Sequence, residues 1–130
     1  MRSPDYLMAV GIGVTDLARS AEFYQRVLGM KQTQTINLDH MDEIVLVHEG
    51  RNAIVLMHWK DGVQRNYRDN PVKLVFQVED AKRLIEGIRA EGLAITREPT
   101  PYPGMGAIIG LGVDPDGYVI ELIQAATVPA

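Results

Sequence analysis

Val14-Thr15-Asp16 near the start of the chain and Val78-Glu79-Asp80 past its middle stand 64 residues apart, and each joins an apolar run to a helical one. Residues 6–14 read as a strand, and Asp16 offers N-cap chemistry for the segment that follows. There Leu17, Ala21, Tyr24 and Leu28 recur at helical spacing, widened by Phe23 and Val27, and Gly29 suits a helix C-terminus. Strands are expected over 31–38, 43–48 and 53–59, with a hairpin turn at Glu49-Gly50-Arg51-Asn52. The second half repeats the pattern. Residues 72–78 read as a strand, Asp80 caps a helix carrying Ala81, Leu84, Ile85 and Ile88, and Gly92 ends it. Strands follow over 93–98, 106–113 and 118–124, separated by a Pro/Gly-rich loop at 99–104 and a turn at Asp114-Pro115-Asp116-Gly117. Each half therefore reads strand–helix–strand–strand–strand. One helix and four strands bury little on their own, so an internal repeat points to paired modules.

The bulk properties agree. A chain of 130 residues fits one domain, and 46% hydrophobic against 23% charged residues supports a packed core over disorder. A net charge of −4 argues against a nucleic-acid surface, which needs clustered positive charge. With no cysteine, disulfides, thiol catalysis and cysteine-ligated zinc are excluded, and a cytoplasmic setting is the expectation. The longest apolar run, 7–14, is far shorter than a membrane span, so no membrane partner is expected. No charged-then-apolar signal segment opens the sequence as given.

Two stretches carry a resemblance. Val10-Gly11-Ile12-Gly13-Val14-Thr15-Asp16-Leu17, with the helix ending Phe23-Tyr24-Gln25-Arg26-Val27-Leu28-Gly29-Met30, resembles the opening of the vicinal oxygen chelate superfamily. This is the group of glyoxalase I, bleomycin-resistance proteins and extradiol dioxygenases. Asp114-Pro115-Asp116-Gly117-Tyr118-Val119-Ile120-Glu121-Leu122-Ile123 resembles its closing signature. The resemblance spans about 7–124 and implies an α+β fold: two paired βαβββ modules forming a cup-shaped mixed sheet, with helices on the outer face. It makes 1–130 a single domain, with modules at about 6–59 and 72–124 and a linker at 60–71. It also implies a homodimer.

Bacterial glyoxalase I is the member nearest in length and register, and it implies a divalent metal on two His and two Glu. That metal acts as a Lewis acid on a glutathione hemithioacetal. By register the four ligand positions fall on Ala9, Val55, Lys73 and Glu121, so only the last is retained. The family's first-strand Arg falls on Gly13, and the Asn after the first Glu position falls on Trp59. Alanine and valine carry no donor, and an ammonium has no lone pair. A catalytic metal normally takes three protein ligands, so neither a metal nor any other cofactor is expected.

Alternation along strands sets what the cup would present instead. Ala9 brings Gly11 and Gly13 to one face, Val55 brings Ala53, Met57 and Trp59, Lys73 brings Val75 and Gln77, and Glu121 brings Val119 and Ile123. Lys73 and Glu121 form either an acid–base pair or a salt bridge filling a vacated metal site. Trp59 and Met57 either stack on a planar ligand or pack at an interface. Gly11 and Gly13 either make room for a ligand or permit close strand packing. Tyr102, in the 99–104 loop, is a candidate lid or plain surface. Residues 60–70, with Arg65 and Arg68 flanking Tyr67, read as a solvated loop in preference to a clamp for an acidic substrate. His58 is expected on the face opposite Trp59, in the helix-covered core, His40 in a loop and His48 near a strand end, with nothing fixing them as a metal cluster.

The candidate catalytic residues are thus Glu121 and Lys73. The candidate ligand-binding residues are Ala9, Gly11, Gly13, Val55, Met57, Trp59, Gln77 and Tyr102. The first functional expectation is a metal-independent protein holding an apolar or aromatic small molecule. A metal-independent lyase or isomerase using Glu121 and Lys73 is the alternative, ahead of a metal-dependent lactoylglutathione lyase or dioxygenase.

Overall fold

The computed structural model describes residues 5–125, apart from the side chain of Asn52. The element order is β1 (Ala9–Gly13), α1 (Leu17–Arg26), β2 (Lys31–Asn37), β3 (Met41–His48), β4 (Arg51–Trp59), β5 (Lys73–Gln77), α2 (Ala81–Ala90), β6 (Ile95–Tyr102), β7 (Ala107–Val113) and β8 (Val119–Ala125). This is the repeat read from the sequence, strand–helix–strand–strand–strand twice over. The chain divides into two compact units between Tyr67 and Arg68. The first holds a four-stranded sheet in the order β1-β4-β3-β2 and the second one in the order β5-β8-β7-β6. In each sheet the opening strand runs parallel to the module's last strand, and the other neighbours are antiparallel.

Matching local chemistry builds both modules. Asp16 accepts a hydrogen bond from the Arg19 amide at 3.1 Å, and Asp80 from the Arg83 amide at 3.0 Å. Each satisfies an amide that the helix start leaves without an intrahelical partner. Gly29 and Gly92 end the helices with φ of 73° and 78°, a conformation that costs a residue with a Cβ. Helix α1 packs on β3 and β4, burying Phe23 and Tyr24 over Ile44, Leu46, Ile54 and Leu56. Helix α2 sets Ile85 and Ile88 against β7, where Gly110 and Gly112 make the close approach possible. Ile120 and Leu122 complete that core. The opposite face of each sheet carries no helix of its own module.

Most strand ends lie within two residues of the sequence reading, β3 and β4 starting two residues earlier and β6 two later. Three differences have a structural cause. Strand β1 begins at Ala9, not at residue 6, because its pairing with β4 starts at Ala9↔Ala53. Tyr6, Leu7 and Met8 precede it, largely exposed. The β3–β4 connection is tighter than the four residues expected. Glu49 and Gly50 both adopt positive φ, the backbone that a two-residue hairpin needs. The third difference is the largest: residues 99–102 are strand, not loop. Strand β6 runs through Pro99 and Pro101 to Tyr102 and pairs only with β7 within its sheet. A proline's missing amide is tolerated on a strand with an unpaired side. Two register shifts accommodate the run, and the Arg97 guanidinium braces it with bonds to the Ile109, Thr100 and Pro101 carbonyls. No helix among the described residues is long and apolar enough to cross a membrane.

Candidate functional site

The helix-free face of the second sheet is built by the alternation expected of it. Along β5 the exposed residues are Lys73, Val75 and Gln77; along β8, Val119, Glu121 and Ile123 stand opposite the buried Ile120 and Leu122. Lys73 sits beside Val119 and Val75 beside Glu121, which makes Lys73 and Glu121 diagonal neighbours on adjacent parallel strands. Their side chains meet: Lys73 Nζ lies 2.7 Å from Glu121 Oε1. The lysine side chain is 54% exposed and the glutamate only 13%. The carboxylate is therefore fixed on the sheet, and a flexible, wetter ammonium reaches across to it. Leu111 on β7 pairs with Glu121 and walls it with hydrocarbon.

Along β1 and β4 the helix-free face of the first sheet is mostly apolar and already occupied. Ala9, Gly11 and Gly13 on β1 run beside Ala53, Val55 and Met57 on β4. A Cβ on Gly11 would meet Met57 Cε and Sδ at 3.0 Å, so the thioether lies across that glycine. A Cβ on Gly13 would meet the Tyr67 ring at 3.0 Å and Trp59 Cζ3 at 3.3 Å. The two glycines do make room, and the chain's own side chains take it.

This corrects the reading of 60–70 as a solvated loop. Arg65 and Tyr67 are half-buried, and the Arg65 guanidinium lies 4.4 Å above the Trp59 ring. Arg65 also grips Asp61 through two bonds of 2.7 and 2.8 Å. That guanidinium holds the Asp61 carboxyl far below the usual carboxylate range, helped by the Val63 amide, and is itself held above the usual arginine range.

Tyr102, expected in a loop, instead ends β6, with the Arg97 guanidinium 5.0 Å from its ring. His58, expected in the helix-covered core, is half-buried, with Nδ1 2.9 Å from the Val14 carbonyl and its ring 6.2 Å from that of Tyr67. His48 Nε2 lies 2.8 Å from the Leu28 carbonyl, and His40 is in the turn before β3. Glu43 is a residue the sequence reading missed. It pairs with Met57 across β3 and β4, so its carboxylate joins the helix-free face of the first sheet. Alternation against the buried Ile44 and Leu46 is the signal that would have found it.

The donor set can be tested against a metal centre of two His and two Glu. Ala9 and Val55 offer no donor atom, Lys73 is a cation, and the one carboxylate is bound to that cation at 2.7 Å. Among the described residues no group of three or more His, Asp or Glu side chains converges. These residues do not fit such a centre.

Residues 5–122 match the family model described as Glyoxalase/Bleomycin resistance protein/Dioxygenase superfamily. The chain is 36% identical over 124 residues to a lactoylglutathione lyase of Salmonella typhimurium, covering 92% of each. It is 35% identical over 121 residues to a lactoylglutathione lyase of Arabidopsis thaliana, covering 89% of this chain and 43% of that protein. In structure it is similar to glyoxalase I from Zea mays, with a TM-score of 0.79 at 28% identity, covering 94% of this chain and 45% of the maize chain. It thus spans about nine-tenths of the bacterial relative and less than half of each plant protein.

Proposed function

This chain belongs to the Glyoxalase/Bleomycin resistance protein/Dioxygenase superfamily, and from that premise we propose that it binds an apolar or aromatic small molecule without a resident metal ion. The observation that carries the reading is the 2.7 Å contact of Lys73 Nζ with Glu121 Oε1. A positive charge stands on the one retained ligand carboxylate, so the pair is electrically satisfied without a divalent cation. Val75, Val119 and Leu111 stand beside the pair, so the polar groups are few and set in hydrocarbon, as in small-molecule sites generally. The ion pair then serves as the polar anchor that orients a ligand.

The relatives' names favour catalysis, and with Lys73 on Glu121 the second reading is a metal-independent lyase or isomerase. In that reading the Glu121 carboxylate takes a proton from a carbon beside a carbonyl. The electron pair moves onto the carbonyl oxygen, where the Lys73 ammonium stabilises the enediolate charge. The proton returns to the former carbonyl carbon, and the proton of the hydroxyl on the donor carbon passes to the other oxygen, leaving a new carbonyl there. Glu121 has to be released from Lys73 by the substrate for this to happen.

One experiment separates the two. The chelator-treated chain and its Lys73→Ala and Glu121→Ala variants are assayed for turnover of the methylglyoxal–glutathione hemithioacetal, and for stabilisation by a panel of aromatic compounds. The binding reading expects aromatic compounds to raise Tm and no turnover in any form. Turnover that both variants abolish, with binding kept, establishes the lyase. Turnover that returns only with added nickel or zinc overturns both.

The proposal includes a cytoplasmic setting and a homodimer. Strand β1 is unpaired on one side within its sheet, and Tyr6, Leu7 and Met8 leave a run of exposed apolar surface before it. Sedimentation equilibrium reading a single-chain mass would contradict the dimer.

A further inference from the structure

On the helix-free face of the first sheet, the chain supplies what looks like a ligand from its own sequence. Tyr67 comes from the irregular segment after β4, yet its ring lies on the space above Gly13. The ring is nearly parallel to that of His58, at 19° and 6.2 Å, and lies 6.5 Å from Trp59. Its hydroxyl accepts a hydrogen bond from the Trp59 amide at 3.5 Å, the long limit for such a bond. The surface beneath is strand backbone, while Met57 across Gly11 is a flexible thioether that adapts to neighbours of different shape. A fixed floor, a soft wall and an occupant held by one long hydrogen bond describe a ring-binding site with a tethered competitor.

We infer that this surface is a binding site for a small phenolic ring, and that Tyr67 is its resident occupant, displaced when the 60–67 segment lifts. The inference rests on the small-molecule reading above and adds the ligand class and the residue that opposes binding. A phenol reproduces each contact Tyr67 makes: ring over Gly13, flank to Trp59 and His58, oxygen to the Trp59 amide. Arg65 is the latch. It lies over Trp59 while forked on Asp61, and those contacts keep the segment down. Because Asp61 already neutralises Arg65, the site favours a neutral phenol over an anion. Apparent affinity scales with the fraction of molecules in which Tyr67 has left.

Trp59 is the only tryptophan in the chain, so its emission reports on this site. The test is a titration of p-cresol, the tyrosine side chain as a free molecule, into the wild type, Tyr67→Ala and Tyr67→Phe. If the vacated state holds about a tenth of molecules or less, Tyr67→Ala binds roughly tenfold tighter or better than the wild type. Tyr67→Phe stays close to the wild type, because the ring still fills the space, and toluene binds more weakly than p-cresol.

No saturable response in a Tyr67→Ala chain with a native far-UV spectrum overturns the inference. So does equal affinity in Tyr67→Ala and wild type. Should Tyr67→Ala fail to fold, Asp61→Asn asks the same question by loosening the latch: tighter p-cresol binding supports the inference and unchanged binding overturns it. A rise in Tm with aromatic compounds that leaves Trp59 emission unmoved overturns this inference alone and leaves the small-molecule reading standing.

Discussion

The two modules share a sheet order, a capping aspartate, a closing glycine and a helix on one face, yet their other faces have opposite characters. In the first module the β1–β4 part of that face is small and apolar, with Glu43 beside it on β3, and the protein covers it with Met57, Tyr67 and the Arg65–Trp59 stack. In the second it holds an ion pair among exposed Val75 and Gln77. The cores obey the same demands, so they match. The helix-free faces take no part in those cores, so their side chains differ without cost to the fold.

Core truncation should act alike in the two modules and most strongly of all. Leu56→Ala in the first and Leu122→Ala in the second each remove a fully buried side chain. Each is expected to cost about 2–5 kcal/mol in urea unfolding. A cost several-fold larger in one module would break the symmetry of the cores. Next come the caps. Asp16→Ala and Asp80→Ala each leave a helix-start amide without its partner and should each cost about 1 kcal/mol. Unequal losses would sharpen the comparison by showing that one module depends more on its helix.

The ion pair should matter less for stability than for binding. Lys73→Met removes a half-exposed partner but leaves the mostly buried Glu121 carboxylate without its cation, so unfolding should shift by about 1 kcal/mol, below the cost of breaking a fully buried pair. Glu121→Gln should instead weaken whatever ligand the second face anchors. The smallest effect belongs to the latch. Arg65 and the Val63 amide depress the Asp61 carboxyl in the folded chain, so Asp61 adds stability that is complete above the ordinary carboxylate pKa. That contribution is lost as pH falls through the lowered folded value. Trp59 emission should therefore stay constant from neutral pH down to the ordinary carboxylate range and change only in stronger acid. A transition near neutral pH would assign the latch to another group.

Most of the architecture was legible because it rests on period and punctuation. Asp16 and Asp80, Gly29 and Gly92, and the Asp114-Pro115-Asp116-Gly117 turn each state a local backbone requirement, and the structure meets all of them. Strand β6 was misread because Pro99 and Pro101 are breakers in a central strand but tolerable on one with an unpaired side, and strand order is a tertiary property.

The candidate site was legible in part. The meeting of Lys73 with Glu121 follows from alternation and parallel register, given the family resemblance. The seat of Tyr67 on Gly13 does not. Residues 60–70 carry no period, so nothing in the sequence says which side chain of an irregular segment returns to the sheet. Glu43 was within reach, but finding it required the register of the β3–β4 hairpin.

The central claim is that an ammonium on Glu121 replaces the family's metal. Its most direct test is metal content per chain after incubation with excess nickel, zinc, iron and manganese, followed by exhaustive dialysis. The account predicts a chain that retains no stoichiometric metal. One retained metal ion per chain, lost in Glu121→Ala, would contradict it.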